Sequence, residues 1–106
     1  MTPHKHQRTE ASVLAEFSEE RRRAHELHGE QSQEGNAWDS RRSTEILFEE
    51  VGEIAKVFNE RALGNLTDLE AMRELRKELV QTGAMCLVWI DNIDNDLPSD
   101  AAFRQR

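Results

Sequence analysis

Cysteine is nearly absent from this 106-residue chain, occurring once, and basic residues are in deficit, 14 Lys and Arg against 21 Asp and Glu. The lone thiol, Cys86, excludes an intramolecular disulfide and suits a reducing compartment. Set in an apolar helical run, it reads as a small buried hydrophobe rather than a reactive group. No apolar run approaches the roughly twenty residues that cross a bilayer. Behind Met1-Thr2-Pro3-His4-Lys5-His6 there is no apolar stretch of the signal-peptide kind, so a cytoplasmic protein without membrane contact is expected. The net charge of −7 repels phosphate polymers and anionic lipid, which argues against nucleic-acid polymers as partners. A small anionic substrate is still compatible, provided metal ions and local basic groups neutralise it. Internal repeats and strand-like alternation are missing as well. Those absences leave an all-α single domain, of a size that gains from self-association.

Three helical segments follow from the pattern. Residues 1–8 read as a flexible leader in which His4 and His6 are polar terminal residues, 9–95 as the domain, and 96–106 as a tail after Pro98 halts the helix. Thr9 caps a first helix from about Glu10 to Leu27 or His28, with Gly29 as the stop. Its inner face carries Val13, Leu14, Phe17, Ala24 and Leu27, and Glu19 to Arg23 form a charged outer stretch. Gly29 to Asp39 reads as a polar loop, in which Trp38 is a lid, a base-stacking surface or a plug over the core.

The second helix begins between Asp39 and Thr44, and both Asp39 and Ser43 are plausible caps. Leu47, Val51, Ile54 and Phe58 then recur at the spacing of a core-facing stripe. Gly64-Asn65 breaks the pattern, and Thr67-Asp68-Leu69-Glu70 forms a capping box for a long third helix. Leu69, Met72, Leu75, Leu79, Cys86, Trp89, Ile90 and Ile93 supply its apolar surface, while Gly83-Ala84 allow close helix approach. Trp89 belongs to this stripe and reads as packing.

The chemistry concentrates in Glu49-Glu50-Val51-Gly52-Glu53 on the second helix and Glu78-Leu79-Val80-Gln81 on the third. Side chains three or four apart share a helix face, so Glu50 pairs with Glu53 and Glu78 with Gln81. Glu50 and Glu53 fall at the edge of the apolar stripe, where a carboxylate can enter a cleft between helices. Two such helices face to face assemble oxygen ligands suited to a hard divalent cation such as Mg²⁺. The bland alternative is a solvated acidic face in a glutamate-rich protein. His25 and His28 lie three apart at a helix end, where polar or base-pocket roles suit them better than zinc.

With the motifs placed, the chain resembles the MazG-like all-α nucleotide pyrophosphohydrolases, whose signature is EExxE on one helix and ExxD on the next. Glu49-Glu50-Val51-Gly52-Glu53 matches the first element, and Glu78-Leu79-Val80-Gln81 stands where the second belongs. Glu20-Arg21-Arg22-Arg23-Ala24-His25-Glu26-Leu27-His28-Gly29-Glu30-Gln31 is similar to an early ER-x-R…WGEQ stretch of small members. Glu78 to Asp91 is similar to their ELVQ…WI segment, so the likeness spans roughly residues 17 to 94. Two positions depart from the pattern. Gln81 replaces the usual aspartate, which removes one negative charge from the ligand set and should weaken cation binding. His28 stands where the subgroup often has tryptophan.

The resemblance implies a MazG-like bundle of three main helices completed by oligomerisation to a homodimer or homotetramer. It implies an enzyme converting nucleoside triphosphates to monophosphates and pyrophosphate in nucleotide-pool sanitation. Mg²⁺, with Mn²⁺ as a substitute, falls to Glu50, Glu53, Glu78 and Gln81, and Glu49, Glu50, Glu53 and Glu78 make up the catalytic set. Glu49 is an additional ligand, a water-orienting base or a solvated outer residue. Arg41, Arg42, Lys56 and Lys77 are the basic groups within reach of a triphosphate, each with ordinary surface pairing as its alternative, and Trp38 is the stacking residue. A catalytically degenerate nucleotide-binding or protein-interaction scaffold is the competing reading, motivated by Gln81.

Overall fold

A computed structural model describes residues 8–98, and within them the chain is all-helical, with no strand. The expectations placed on residues 1–7, His4 and His6 among them, and on 99–106 lie outside this range. Helix α1 spans Glu10–His28, a short 3₁₀ turn covers Gly29–Gln31, α2 spans Arg41–Ala62 and α3 spans Asp68–Asp96. No helix of the described residues is long and apolar enough to cross a membrane.

The helix ends follow from local chemistry. Thr9 accepts from the Ser12 N–H at 3.1 Å, satisfying one of the orphan donors of the first turn. Gly29 ends α1 in the left-handed region, at φ 55°, and returns its N–H to the His25 carbonyl. At α3 both halves of the capping box are present, Glu70 N–H to Thr67 Oγ1 at 3.1 Å and Thr67 N–H to Glu70 Oε1 at 2.9 Å. The α2 cap is neither Asp39 nor Ser43 but Ser40, whose hydroxyl accepts from the Arg42 N–H at 3.2 Å. Helix α2 thus starts within the expected interval, its cap one residue after Asp39, and Ser43 lies inside its first turn, fully buried.

Helix α3 is the common support: α2 packs along it as an antiparallel hairpin partner, and α1 leans on it from another side. Contact between α1 and α3 is closest at Gly83, where a Cβ would come within 2.8 Å of the Phe17 ring. The small residue therefore serves close packing, as the sequence suggested. Arg76 of α3 grips Glu16 of α1 through two hydrogen bonds of 2.8 and 2.6 Å, fixing the register of the pair.

The face that α3 buries differs from the expected stripe. Ala71, Glu78, Ala84, Val88 and Asn92 are the buried residues, whereas Leu69, Met72, Leu79 and Ile90 are more than half exposed or close to it. On α2, Val57 and Ser43 are buried while Val51 and Phe58 are about half exposed. The physical reason is close helix approach. Where α1 and α2 both press on α3, small side chains and two hydrogen-bonding ones fit, and the bulkier apolar residues are left on outer faces.

Candidate functional site

Because α1 and α2 lean on α3 rather than on each other, a cavity of about 290 Å³ remains between the C-terminal half of α1, the following loop, the start of α2 and the middle of α3. Glu49, Glu50 and Gln81 line one side of it, and Arg42 is also on its wall. Glu78 is 7% exposed, and its carboxylate is held by its own helix neighbour. Only with the Gln81 nitrogen turned toward the acids do both carboxylates find a donor. In that orientation the amide donates to Glu50 Oε2 at 3.2 Å and to Glu78 Oε2 at 3.0 Å.

Helices α2 and α3 thus bring together three of the predicted ligands, Glu50, Glu78 and Gln81. Loss of water around Glu50, followed by hydrogen bonding with Glu78 and the charges of Glu78, Glu53 and Glu20, pushes the Glu50 carboxyl up to about 7. Beside Glu78 the Glu50 carboxyl therefore holds its proton to higher pH than a free carboxyl does. Glu53 adds its charge from nearby, but its side chain is exposed. Among the described residues, no three His, Cys, Asp or Glu side chains converge closely enough to hold a metal ion by themselves.

Glu20 is a member of the acidic group that the sequence reading missed. Assigned to an outer charged stretch, it instead has a side chain only 16% exposed, pairs with Arg23 at 2.6 Å and acts electrostatically on Glu50. Arg21 also turns inward. It holds Glu34 through two hydrogen bonds of 2.9 and 2.8 Å and reaches Asp91 on α3, clamping the loop after α1 onto the third helix. The signal was available: Glu20 continues the Val13, Phe17, Ala24 inner spacing at i, i+4, i+7 and i+11.

The predicted substrate-binding residues separate. Arg42 lines the cavity and keeps only a 4.0 Å approach to Glu45. Lys77 lies on a neighbouring shallow depression with Glu16, Glu20 and Gln81. Arg41 and Lys56 are exposed and line neither. Trp38 is displaced from the acidic cavity. It borders a different depression near Asn92 and Asn95, and its main-chain carbonyl accepts from the Trp89 indole N–H at 2.8 Å. That bond gives Trp89 a role in tethering the loop, beyond packing. His25 and His28 both line the cavity, and the His25 ring bonds Ser32 Oγ at 2.8 Å.

Loop residues supply the remaining wall. Gln33 is 4% exposed, and its main-chain carbonyl accepts from the buried Asn92 side chain at 3.2 Å. Neither atom of its side-chain amide has a hydrogen-bond partner. No sequence motif announces it, because its burial depends on the loop being folded back by Arg21 and Asn92.

No protein-family model, curated protein or solved structure matches the chain.

Proposed function

We propose that the protein is a Mg²⁺-dependent nucleoside triphosphate pyrophosphohydrolase, yielding monophosphate and pyrophosphate, as the MazG-like resemblance implies. The observation that carries the reading is the Glu50–Glu78 pair from two helices, joined through Gln81, beside a cavity that also presents Arg42. The donor set fits the cation. Mg²⁺ is ordinarily held by one or two carboxylates plus substrate phosphates and water, so a cage of three protein acids is not required. The raised Glu50 carboxyl is the electrostatic counterpart: confined negative charge that a cation would relieve.

Glu50 and Glu78 would hold the ion, and the Gln81 amide, placed between them, would offer its carbonyl oxygen. Bound there, Mg²⁺ supplies neutralisation of phosphate charge and a more acidic water. Arg42 takes up phosphate charge at the cavity wall, and Glu49, exposed at its edge, accepts the proton of the attacking water. Arg23 is positioned by Glu20 close to the same charges. The −7 net charge makes this local compensation necessary for a polyanionic substrate.

The test is pyrophosphate release from a panel of canonical and modified NTPs and dNTPs, with Mg²⁺ or Mn²⁺ and with EDTA. Metal-dependent release that vanishes in Glu50→Gln and Glu78→Gln supports the assignment; release that persists in both ends it. A second reading, a degenerate nucleotide-binding scaffold, is favoured by one observation: the Gln81 amide already satisfies both acids without a cation. Nucleotide binding with no release in any metal selects it.

Self-association belongs to the same proposal. Phe48, Val51 and Phe58 on α2 and Leu69, Met72 and Leu79 on α3 are large apolar side chains left about half exposed or more. Surfaces of this kind are uncommon on monomers and are covered in symmetric homo-oligomers. A homodimer or homotetramer in the cytoplasm fits this composition.

A further inference from the structure

The acidic cavity does not end at Gln81. Glu20, Arg23 and Gln81 also line a shallow depression nearer the start of α3, so the two hollows share a wall between α1 and α3. Along α3 this joined wall runs from Lys77 through Gln81 to Val88, about 16 Å at the rise of a helix. Its two ends differ in chemistry. Ile46, Met85 and Val88 line only the cavity, at the loop end, where an apolar ring finds contact. In the cavity four glutamates face three arginines. The depression reverses that balance, with Arg23, Arg76 and Lys77 against Glu16 and Glu20, a local positive excess in a chain of net charge −7.

The three cations of the depression are not equally committed. Arg76 is held by Glu16 at 2.8 and 2.6 Å, and Glu16 also meets Arg8 at 3.4 Å, so that cluster is balanced internally. Lys77 is exposed and takes part in no ion pair among the described residues. Arg23 bonds Glu20 through Nε and Nη2, at 2.8 and 2.6 Å. A guanidinium has five N–H donors, and those on Nη1 are left without a partner among the described residues. The Glu20 side chain is 16% exposed and that of Arg23 52%, so the carboxylate steadies the guanidinium from the buried side and leaves its other side open.

We infer that the depression is the pyrophosphate end of the site, where Arg23 and Lys77 bind the two terminal phosphates while the nucleoside lies at the loop end against Met85 and Val88. The inference rests on the hydrolase reading and adds to it the direction in which the substrate lies and the residues that hold its leaving group. Hydrolysis then joins the oxygen of water to the α-phosphorus and breaks the bond from that phosphorus to the oxygen shared with the β-phosphate. The electron pair of that bond leaves on pyrophosphate, and the water gives its proton to Glu49. Negative charge on the departing oxygen grows on the side of Arg23 and Lys77. Arg42, which lines the cavity alone of these two hollows, meets the phosphate retained by the nucleoside.

The experiment titrates the full chain in Mg²⁺ with inorganic pyrophosphate and, separately, with the four deoxynucleoside monophosphates, by calorimetry. Arg23→Gln and Lys77→Gln should each weaken pyrophosphate binding about tenfold or more, since a charge-assisted hydrogen bond is lost, and leave monophosphate affinity unchanged. Arg42→Gln should do the reverse. Arg22→Gln removes a positive charge from the exposed pairs with Glu19 and Glu26, outside both hollows, and should change neither affinity. All four side chains are exposed, so the variants should melt with the wild type.

Pyrophosphate affinity that survives both Arg23→Gln and Lys77→Gln overturns the inference, as does a wild-type chain that binds no pyrophosphate. If that chain still hydrolyses triphosphates, the hydrolase reading stands without it. A loss confined to Arg42→Gln puts the terminal phosphates at the loop end and overturns it too, and an equal loss in Arg22→Gln does so by tracing the effect to net charge. Pyrophosphate binding that depends on Arg23 and Lys77 in a protein that hydrolyses no triphosphate upholds the subsite while ending the hydrolase reading.

Discussion

Glu50 on α2 and Glu78 on α3 are linked through a single side chain, the Gln81 amide, which lies 3.2 Å from one carboxylate and 3.0 Å from the other. The arrangement holds two acids together across a helix–helix contact without a basic residue between them. Its stability therefore depends on protons, on the amide and, in the proposed function, on a cation.

The pH dependence of the metal-free protein follows from Glu50. Its folded carboxyl titrates near 7 against an ordinary value of 4.5, so the folded state binds more protons than the unfolded one between these limits. Stability in EDTA should fall as pH rises from about 4.5 through 7, by roughly 1–2 kcal/mol once the partial solvent exposure of the site is allowed for. Glu50→Gln should flatten that slope and melt above the wild type at pH 8. Thermal melts across pH 4.5–8.5 decide the matter, and an unchanged slope in the variant refutes it.

Gln81→Asp reverses the balance between cation affinity and apo stability. A third carboxylate replaces the shared donor, so the metal-free protein should lose about 1–3 kcal/mol near neutral pH. Mg²⁺ affinity should rise, because hard cations favour anionic oxygen. Isothermal titration and melting with and without Mg²⁺ measure both effects. A variant that gains neither affinity nor Mg²⁺-dependent stabilisation argues against a cation between these helices.

Gly83→Ala tests the α1–α3 contact. The added methyl would meet the Phe17 ring at 2.8 to 3.0 Å, a crowding cost of about 1–3 kcal/mol. Improved helix propensity offsets about 1 kcal/mol of it. A net loss is expected, and Phe17→Leu in the same chain should recover part of it. Denaturant unfolding of the double-mutant cycle gives the coupling; additive effects would place the two residues out of contact.

Arg21→Ala should release the loop that carries Gln33. Its two hydrogen bonds to Glu34 and the pair with Asp91 are charge-assisted and partly shielded, so a loss of about 1–2 kcal/mol is expected. Amide exchange should accelerate through residues 29–40 and leave the middle of α3 protected. Uniform acceleration along the chain would show instead that Arg21 supports the whole bundle.

Light scattering should return a mass above that of one 12.3 kDa chain. Phe48→Lys, at a side chain 72% exposed, should lower that mass without unfolding the protein. A wild-type mass equal to one chain would remove the oligomer proposal.

The sequence by itself determined the helices and the identity of the acids. Thr9, Gly29 and the Thr67–Glu70 box act within one turn of chain, so their consequences are local and legible. Glu50, Glu78 and Gln81 could be placed on helix faces from spacing alone. Tertiary structure decided which faces close. Ala71, Ala84 and Val88 are buried in place of Leu69, Met72 and Leu79 because small side chains let helices approach, and hydrophobic periodicity does not record distance. It also brought Glu20 toward Glu50, left Glu53 exposed, moved Trp38 away from the cavity and folded Gln33 against Asn92. Those outcomes depend on contacts between residues far apart in the chain, such as Gln33 with Asn92 and Trp38 with Trp89, and only packing sets them.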